Sequence, residues 1–101
     1  MTTRIRLARQ VVEFLSTLAP EPRRALRLGM KKLPKGNVRM LEGKISRFAR
    51  LRVKGFRVIY CERREHGERV FYCVFAERRS VVDELFEQLA VDEFLEELGE
   101  R

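Results

Sequence analysis

Arg50, Arg52, Lys54, Arg57, Arg78 and Arg79 are the residues of this chain whose types and spacing suit chemistry on a phosphodiester. In Phe48-Ala49-Arg50-Leu51-Arg52-Val53-Lys54, a period of two sends Phe48, Arg50, Arg52 and Lys54 to one face of a strand. Ala49, Leu51 and Val53 go to the other. Arg57 opens the neighbouring strand just after a tight turn at Gly55, and Arg78 and Arg79 stand where the last strand gives way to the last helix. Arginine suits phosphate because its planar fork donates paired hydrogen bonds and stays charged. On one edge of an antiparallel sheet, these side chains would hold a phosphodiester and stabilise the charge that builds as a ribose 2′-hydroxyl attacks it. The same residues also suit a solvated basic face paired with Glu62, Glu77 or the acidic C-terminal segment, and spacing alone leaves both readings open.

Other chemistries find no footing in the sequence. It has no phosphate-binding glycine loop, nucleophile elbow, Cys-His pair or close Asp/Glu pair at a strand end. The single histidine, His66, lies in a charged turn between Glu65 and Gly67, where a solvated side chain is expected. Two cysteines and one histidine make no metal site, and no cofactor is expected. Cys61 and Cys73 sit in apolar strand patterns either side of a hairpin near Gly67, which would set them almost opposite each other. A cross-strand disulfide is then conceivable, but a cytosolic chain keeps such a pair as packed thiols.

The 101 residues suit one domain, 1–101, with a modest core. No apolar run approaches the roughly 20 residues that cross a bilayer, and the N-terminus has cations but no apolar signal region. The expectation is a cytoplasmic protein with no membrane partner. Of the net +7, residues 1–80 carry 21 of 22 Lys/Arg and 7 of 15 Asp/Glu, a net +14; residues 81–101 carry a net −7. The body attracts polyanions and the tail is repelled by them, which points to a nucleic-acid partner.

The elements that must position these residues follow from periodicity. Arg4 to Leu7 reads as a short strand. Val11, Val12, Leu15 and Leu18 recur at helical spacing, and Ala19-Pro20-Glu21-Pro22 ends that helix and starts another. Ala25, Leu26, Met30 and Leu33 form the second helix's apolar stripe, with Arg23, Arg24, Arg27, Lys31 and Lys32 outward; Pro34, Gly36 and Asn37 end it. Strands are predicted at 47–53, 56–62 and 70–76, with a turn over 63–68, and the continuously apolar third strand should be covered on both faces. A last helix over 80–98 buries Val82, Leu85, Phe86, Leu89, Phe94, Leu95 and Leu98, and Ser80 to Asp83 has capping-box spacing. The order β-α-α-β-β-β-α is an α+β fold: a small antiparallel sheet with an N-terminal helical hairpin and a C-terminal helix.

Leu41-Glu42-Gly43, Phe48-Ala49-Arg50-Leu51-Arg52, Gly55-Phe56-Arg57-Val58-Ile59-Tyr60 and Val74-Phe75-Ala76-Glu77-Arg78-Arg79 together resemble the RelE/ParE superfamily of type II toxin–antitoxin toxins. The element order is similar to that fold over nearly the whole chain. The resemblance implies a cognate antitoxin as partner and one of two activities. RelE-like members cleave messenger RNA on the ribosome without a metal, through 2′-hydroxyl attack, and so inhibit translation. ParE-like members inhibit DNA gyrase. Carried over by position, Arg57 matches the arginine that contacts the scissile phosphate, Arg50 a lysine of the basic strand, and Arg52 a further basic position, with Lys54 as a helper. Arg79, or Arg78 by a one-residue slip, matches the basic residue at the end of the last strand. Phe48 stands where a second lysine is expected, and Asp83 where RelE-like sequences often carry a tyrosine that stacks on a base. The expectation is a ribosome-dependent endoribonuclease; a gyrase inhibitor or a catalytically impaired antitoxin-binding variant is the alternative that Phe48 and Asp83 motivate. The apolar face of the last helix, wider than one stripe with Val81 and Val91, would also receive an antitoxin segment.

Overall fold

The computed structural model describes residues 3–78, 83–97 and 99, without the side chains at 44, 83–88 and 90. Arg79, Ser80, Val81, Val82 and Leu98, and with them most of the expected capping box, lie outside the described residues. The order is β1 (Thr3–Leu7), α1 (Arg9–Ser16), α2 (Pro20–Lys31), β2 (Asn37–Met40), a 3₁₀ turn at Gly43–Ile45, β3 (Phe48–Val53), β4 (Phe56–Glu65), β5 (Glu68–Arg78) and α3 (Asp83–Glu97). The five strands form one sheet in the order β1-β5-β4-β3-β2. Only β1, parallel to β5, departs from antiparallel pairing. The fold is α+β, as the sequence predicts, with one short strand more. Among the described residues no helix is long and apolar enough to cross a membrane.

The helical hairpin leaves β1 at one edge, crosses one face of the sheet and delivers the chain to β2 at the other edge. Val11, Leu15 and Leu18 from the first helix and its end, and Leu26, Met30 and Leu33 from the second, meet Ala49, Leu51, Val58, Tyr60, Phe71 and Cys73 of the sheet in the larger core. Val12, a quarter-turn round from Val11, faces out instead, 51% exposed. Gly29 is what lets α2 lie this close to β3: a Cβ there would sit 2.5 Å from Val53 Cγ2. Where β1 stops at Leu7, Gln10 of α1 takes over the free edge of β5. Its Nε2 donates to the Ala76 carbonyl and its Oε1 accepts from the Ala76 N–H, both at 2.8 Å.

Alternation puts the other side chains of β3, β4 and β5 on the opposite face, under α3. Phe48, Ile59, Cys61 and Val74 pack there with Leu41, Val91 and Phe94. Leu89 of α3 points away, 53% exposed. β5 is buried on both faces through its middle, as its unbroken apolar run implies.

One turn is tighter than the sequence suggests. β4 runs on to Glu65 and β5 begins at Glu68, so the predicted loop over 63–68 shrinks to His66-Gly67, both with positive φ (53° and 80°). Such primed two-residue turns match the twist of a hairpin. The thiols are also not opposed. Cys61 pairs with Tyr72 and Cys73 with Tyr60, and they belong to cores on opposite faces, so no bond between them forms without moving the backbone. Both are buried and neither is in a disulfide.

Candidate functional site

Beyond the end of the α3-side core, cross-strand pairing lines up charged residues in two ranks. Arg52 pairs with Asn37 on β2 and with Arg57 on β4, and Arg57 pairs with Glu77 on β5. One step further into the sheet, Arg50 pairs with Arg39 on β2 and with Ile59 on β4, which pairs with Phe75 on β5. Directly opposed residues of an antiparallel pair share a face with Cβ atoms about 5 Å apart. Arg39, Arg50, Arg52 and Arg57 therefore crowd a patch three strands wide.

The patch is unusual in its burial. Arg57 is 3% and Arg50 9% exposed, and both are engaged by neighbouring groups. Arg52 is half-buried and Arg39 exposed, so the cluster grades from a sealed floor to an open rim. Charged side chains are almost never this buried without a specific counterpart, and like charges opposed across strands repel. Glu77 supplies one negative charge beside Arg57. Its Oε2 is buried and, among the described residues, accepts no hydrogen bond. The arrangement can neutralise an anion laid on the Arg39–Arg52 rim, with Arg57 and Arg50 adding positive field from beneath and a carboxylate at its border.

The other expected site residues are not gathered here. Lys54 occupies the two-residue turn with φ 55° and is exposed, off the strand face rather than on it. Arg78 lies on the opposite face, over the Phe56 ring at 5.2 Å. A β-bulge between Ile59 and Tyr60 causes this: it shifts the β4–β5 register by one residue, so Arg57 faces Glu77 and Arg78 pairs with Phe56 on the helical-hairpin side. Arg79 lies outside the described residues. Asp83 is the first residue of α3, and its side chain is likewise outside them. Phe48 is a core residue, fully buried, with its ring edge-on to Phe94 at 6.4 Å.

Sequence reading missed Arg39, because it lies on the unassigned strand β2, and assigned Glu77 only a pairing role. The alternation Val38-Arg39-Met40 after Gly36 was the one available signal.

At the far end of the sheet the charges are paired instead. Arg69 donates from Nε and Nη2 to the two carboxylate oxygens of Glu62 at 2.9 and 3.0 Å, which holds that carboxyl below its ordinary range. Tyr72 donates to Glu65, whose carboxyl is also lowered, chiefly by that bond. The contrast matters: the hairpin end is an internally satisfied ion-pair surface, whereas the other end concentrates one sign.

A chain of the RelBE2 toxin–antitoxin complex from Mycobacterium tuberculosis superposes with a TM-score of 0.60 over 75% of this chain and 96% of that one, at 18% identity. The YoeB/ParE toxin from Agrobacterium tumefaciens gives 0.58 over 76% and 99%, at 11% identity. This chain has the RelE/ParE fold. No protein-family model and no curated protein matches the sequence. At these identities the likeness rests on how the elements are arranged.

Proposed function

We propose that this protein is the toxin of a type II toxin–antitoxin module and that it cleaves messenger RNA on the ribosome by 2′-hydroxyl attack. The toxin role is supported by the RelE/ParE fold, since both solved neighbours are described as toxins or toxin–antitoxin complexes. The observation that carries the chemistry is the Arg52–Arg57–Glu77 rank with Arg50 and Arg39 beside it. Buried like charges are costly, and a site that must neutralise a phosphodiester gains from their being fixed in advance.

In this reading Arg52, at the open rim, meets the non-bridging oxygens of the scissile phosphate, and Arg57 and Arg50 reinforce the field from the sealed floor below. The 2′-oxygen attacks phosphorus and the bond to the 5′-oxygen breaks, giving a 2′,3′-cyclic phosphate and a 5′-hydroxyl. Glu77, the carboxylate paired with Arg57 across the strands, would take the 2′-hydroxyl proton. The 5′-oxygen leaves with a proton from water, and the resemblance assigns Arg79 to stabilising the transferring phosphate. The reaction proceeds without a metal or cofactor in the protein, and the cognate antitoxin silences it by binding.

One observation favours a second reading. Phe48 stands at the position of an expected basic residue and is wholly absorbed into the core under α3. A chain built this way suits a ParE-like gyrase inhibitor, or a toxin that binds its antitoxin without cutting. Messenger integrity in a reconstituted translation reaction and gyrase supercoiling, assayed side by side with the wild type and Asp83→Tyr, separate the readings. Cut messenger with intact supercoiling supports the endoribonuclease. Intact messenger in both proteins overturns it, and inhibited supercoiling then establishes the second reading.

A further inference from the structure

A second basic surface lies on the other side of the sheet, on the outer face of α2. Pro20, Arg23, Arg24, Arg27, Leu28 and Lys31 line an open groove of about 320 Å³. Arg24, Arg27 and Lys31 are exposed and, among the described residues, take part in no ion pair. Arg23 differs from them. Its Nε donates to the Leu15 carbonyl at 3.1 Å and its Nη2 to the Leu18 carbonyl at 2.8 Å, where α1 ends. This guanidinium closes off the orphan carbonyls of α1 and is thereby fixed at the groove wall before any ligand arrives.

The helix would be better off without this arrangement. Arg23 and Arg27, Arg24 and Arg27, and Arg27 and Lys31 are like-charge pairs at three- or four-residue spacing, which destabilises an isolated helix. Arg23 and Arg24 also sit near the N-terminal end, where the helix dipole disfavours cations. No carboxylate lines the groove to offset them. Lys31, in the last turn, suits the dipole, but the like-charge spacing through Arg23, Arg24 and Arg27 breaks local rules on one surface and points to a ligand that repays them.

We propose that the α2 groove binds the phosphodiester backbone of a single-stranded RNA, as a site separate from the Arg52–Arg57 patch. The class of ligand follows from the lining. Arginines lead, cations recur every three or four residues, about 5 Å along the helix axis, and no acid selects for a cationic or neutral partner. Leu28, 48% exposed, gives the groove an apolar spot on which a ribose or base can rest. The choice of RNA rests on the endoribonuclease reading; the choice of a polyphosphate backbone does not. With cations on both sides of the sheet, the chain engages RNA at the reacting phosphate and again along α2, which raises affinity without touching the chemistry.

The test uses the full chain and a fluorescent 12-nucleotide RNA, titrated at several salt concentrations. The wild type is compared with Arg24→Ala/Arg27→Ala/Lys31→Ala, with Arg24→Lys/Arg27→Lys, and with Arg52→Ala. Single-stranded backbone binding gives a slope of log K on log salt of about −0.7 per neutralised phosphate. The triple variant is expected to lose at least roughly tenfold in affinity and to flatten the slope by about 2. The lysine variant keeps the charge and should keep the slope. The triple variant must retain the wild-type thermal midpoint within a few degrees, as these are surface side chains.

An unchanged slope in a folded triple variant overturns the proposal. So does a duplex DNA of equal length that binds tighter than the RNA through the same three residues. Because the readout is binding, loss of cleavage in every protein would refute the endoribonuclease while leaving this result legible.

Discussion

Replacing Phe48 with lysine tests whether that position belongs to the site or to the core. Phe48 is fully buried among Leu41, Ile59, Cys61, Val74, Val91 and Phe94, with its ring edge-on to Phe94 and the Arg47 guanidinium 5.5 Å from its centroid. Removing a phenyl ring from such a cluster costs about 3–5 kcal/mol. Lysine refills part of the volume but brings an ammonium that must either shed its proton or pull the strand toward water, and each adds to the cost. We therefore expect Phe48→Lys to lose at least about 4 kcal/mol, most of the stability of an ordinary small domain. Phe48→Leu keeps the apolar fill and should lose about 1–2 kcal/mol, lowering Tm by roughly 5–15 °C. Urea unfolding followed by circular dichroism reads both, and an unchanged m-value for the leucine variant shows that the two-state comparison holds. A Phe48→Lys protein within about 1 kcal/mol of the wild type would refute the reasoning. It would mean that residue 48 opens to solvent and could serve the site after all.

Gly29→Ala trades a helix-propensity gain of about 1 kcal/mol against a Cβ 2.5 Å from a stiff valine. We expect a net loss of about 1–2 kcal/mol in urea unfolding and a change of sign, to a gain of up to about 1 kcal/mol, when Val53→Ala makes room; stabilisation in the wild-type background would contradict the close packing of α2 on β3. The Cys73 thiol is pushed up to about 12 by burial, and Cys61 faces the other core. Both thiols should react slowly with a thiol reagent in the native protein and promptly in urea, and an intramolecular disulfide formed under mild oxidation would overturn their placement.

Much of the architecture was legible because burial imposes a period. Ala49, Leu51 and Val53 alternate with Phe48, Arg50 and Arg52, and the structure separates them onto the predicted faces. The helical hairpin was legible from Pro20 and Pro22 and from two apolar stripes, with only Val12 turned outward. Strand β2 was not legible. Four residues long, with Met40 60% exposed and Val38 half-buried, it has an alternation too short to mark a strand, and it is extended because it pairs with β3. The hairpin arms beyond Glu62 were read as a turn for a related reason: Arg63 and Arg64 carry charge rather than an apolar alternation, so strand pairing there is fixed by the His66-Gly67 turn rather than by burial.

The candidate site divides along the same line. Arg50, Arg52 and Arg57 could be grouped by alternation and one tight turn, and they do share a face. Whether Arg78 or Glu77 joins them depends on a bulge that changes the β4–β5 register by one residue, and nothing in the sequence announces it. Glu77 beside Arg57 is therefore the feature the structure adds to the chemistry, and Arg78 over Phe56 is the one it moves away.

The most direct test of the account is the chemistry of the RNA ends in a reconstituted translation reaction programmed with a defined messenger. Cuts at ribosome-occupied codons that leave 2′,3′-cyclic phosphate and 5′-hydroxyl ends, and that vanish with a folded Arg57→Ala protein, are the predicted result. Messenger that stays intact with the wild-type protein, or cuts that persist undiminished in Arg57→Ala, would contradict the assignment of the arginine patch as the reacting site.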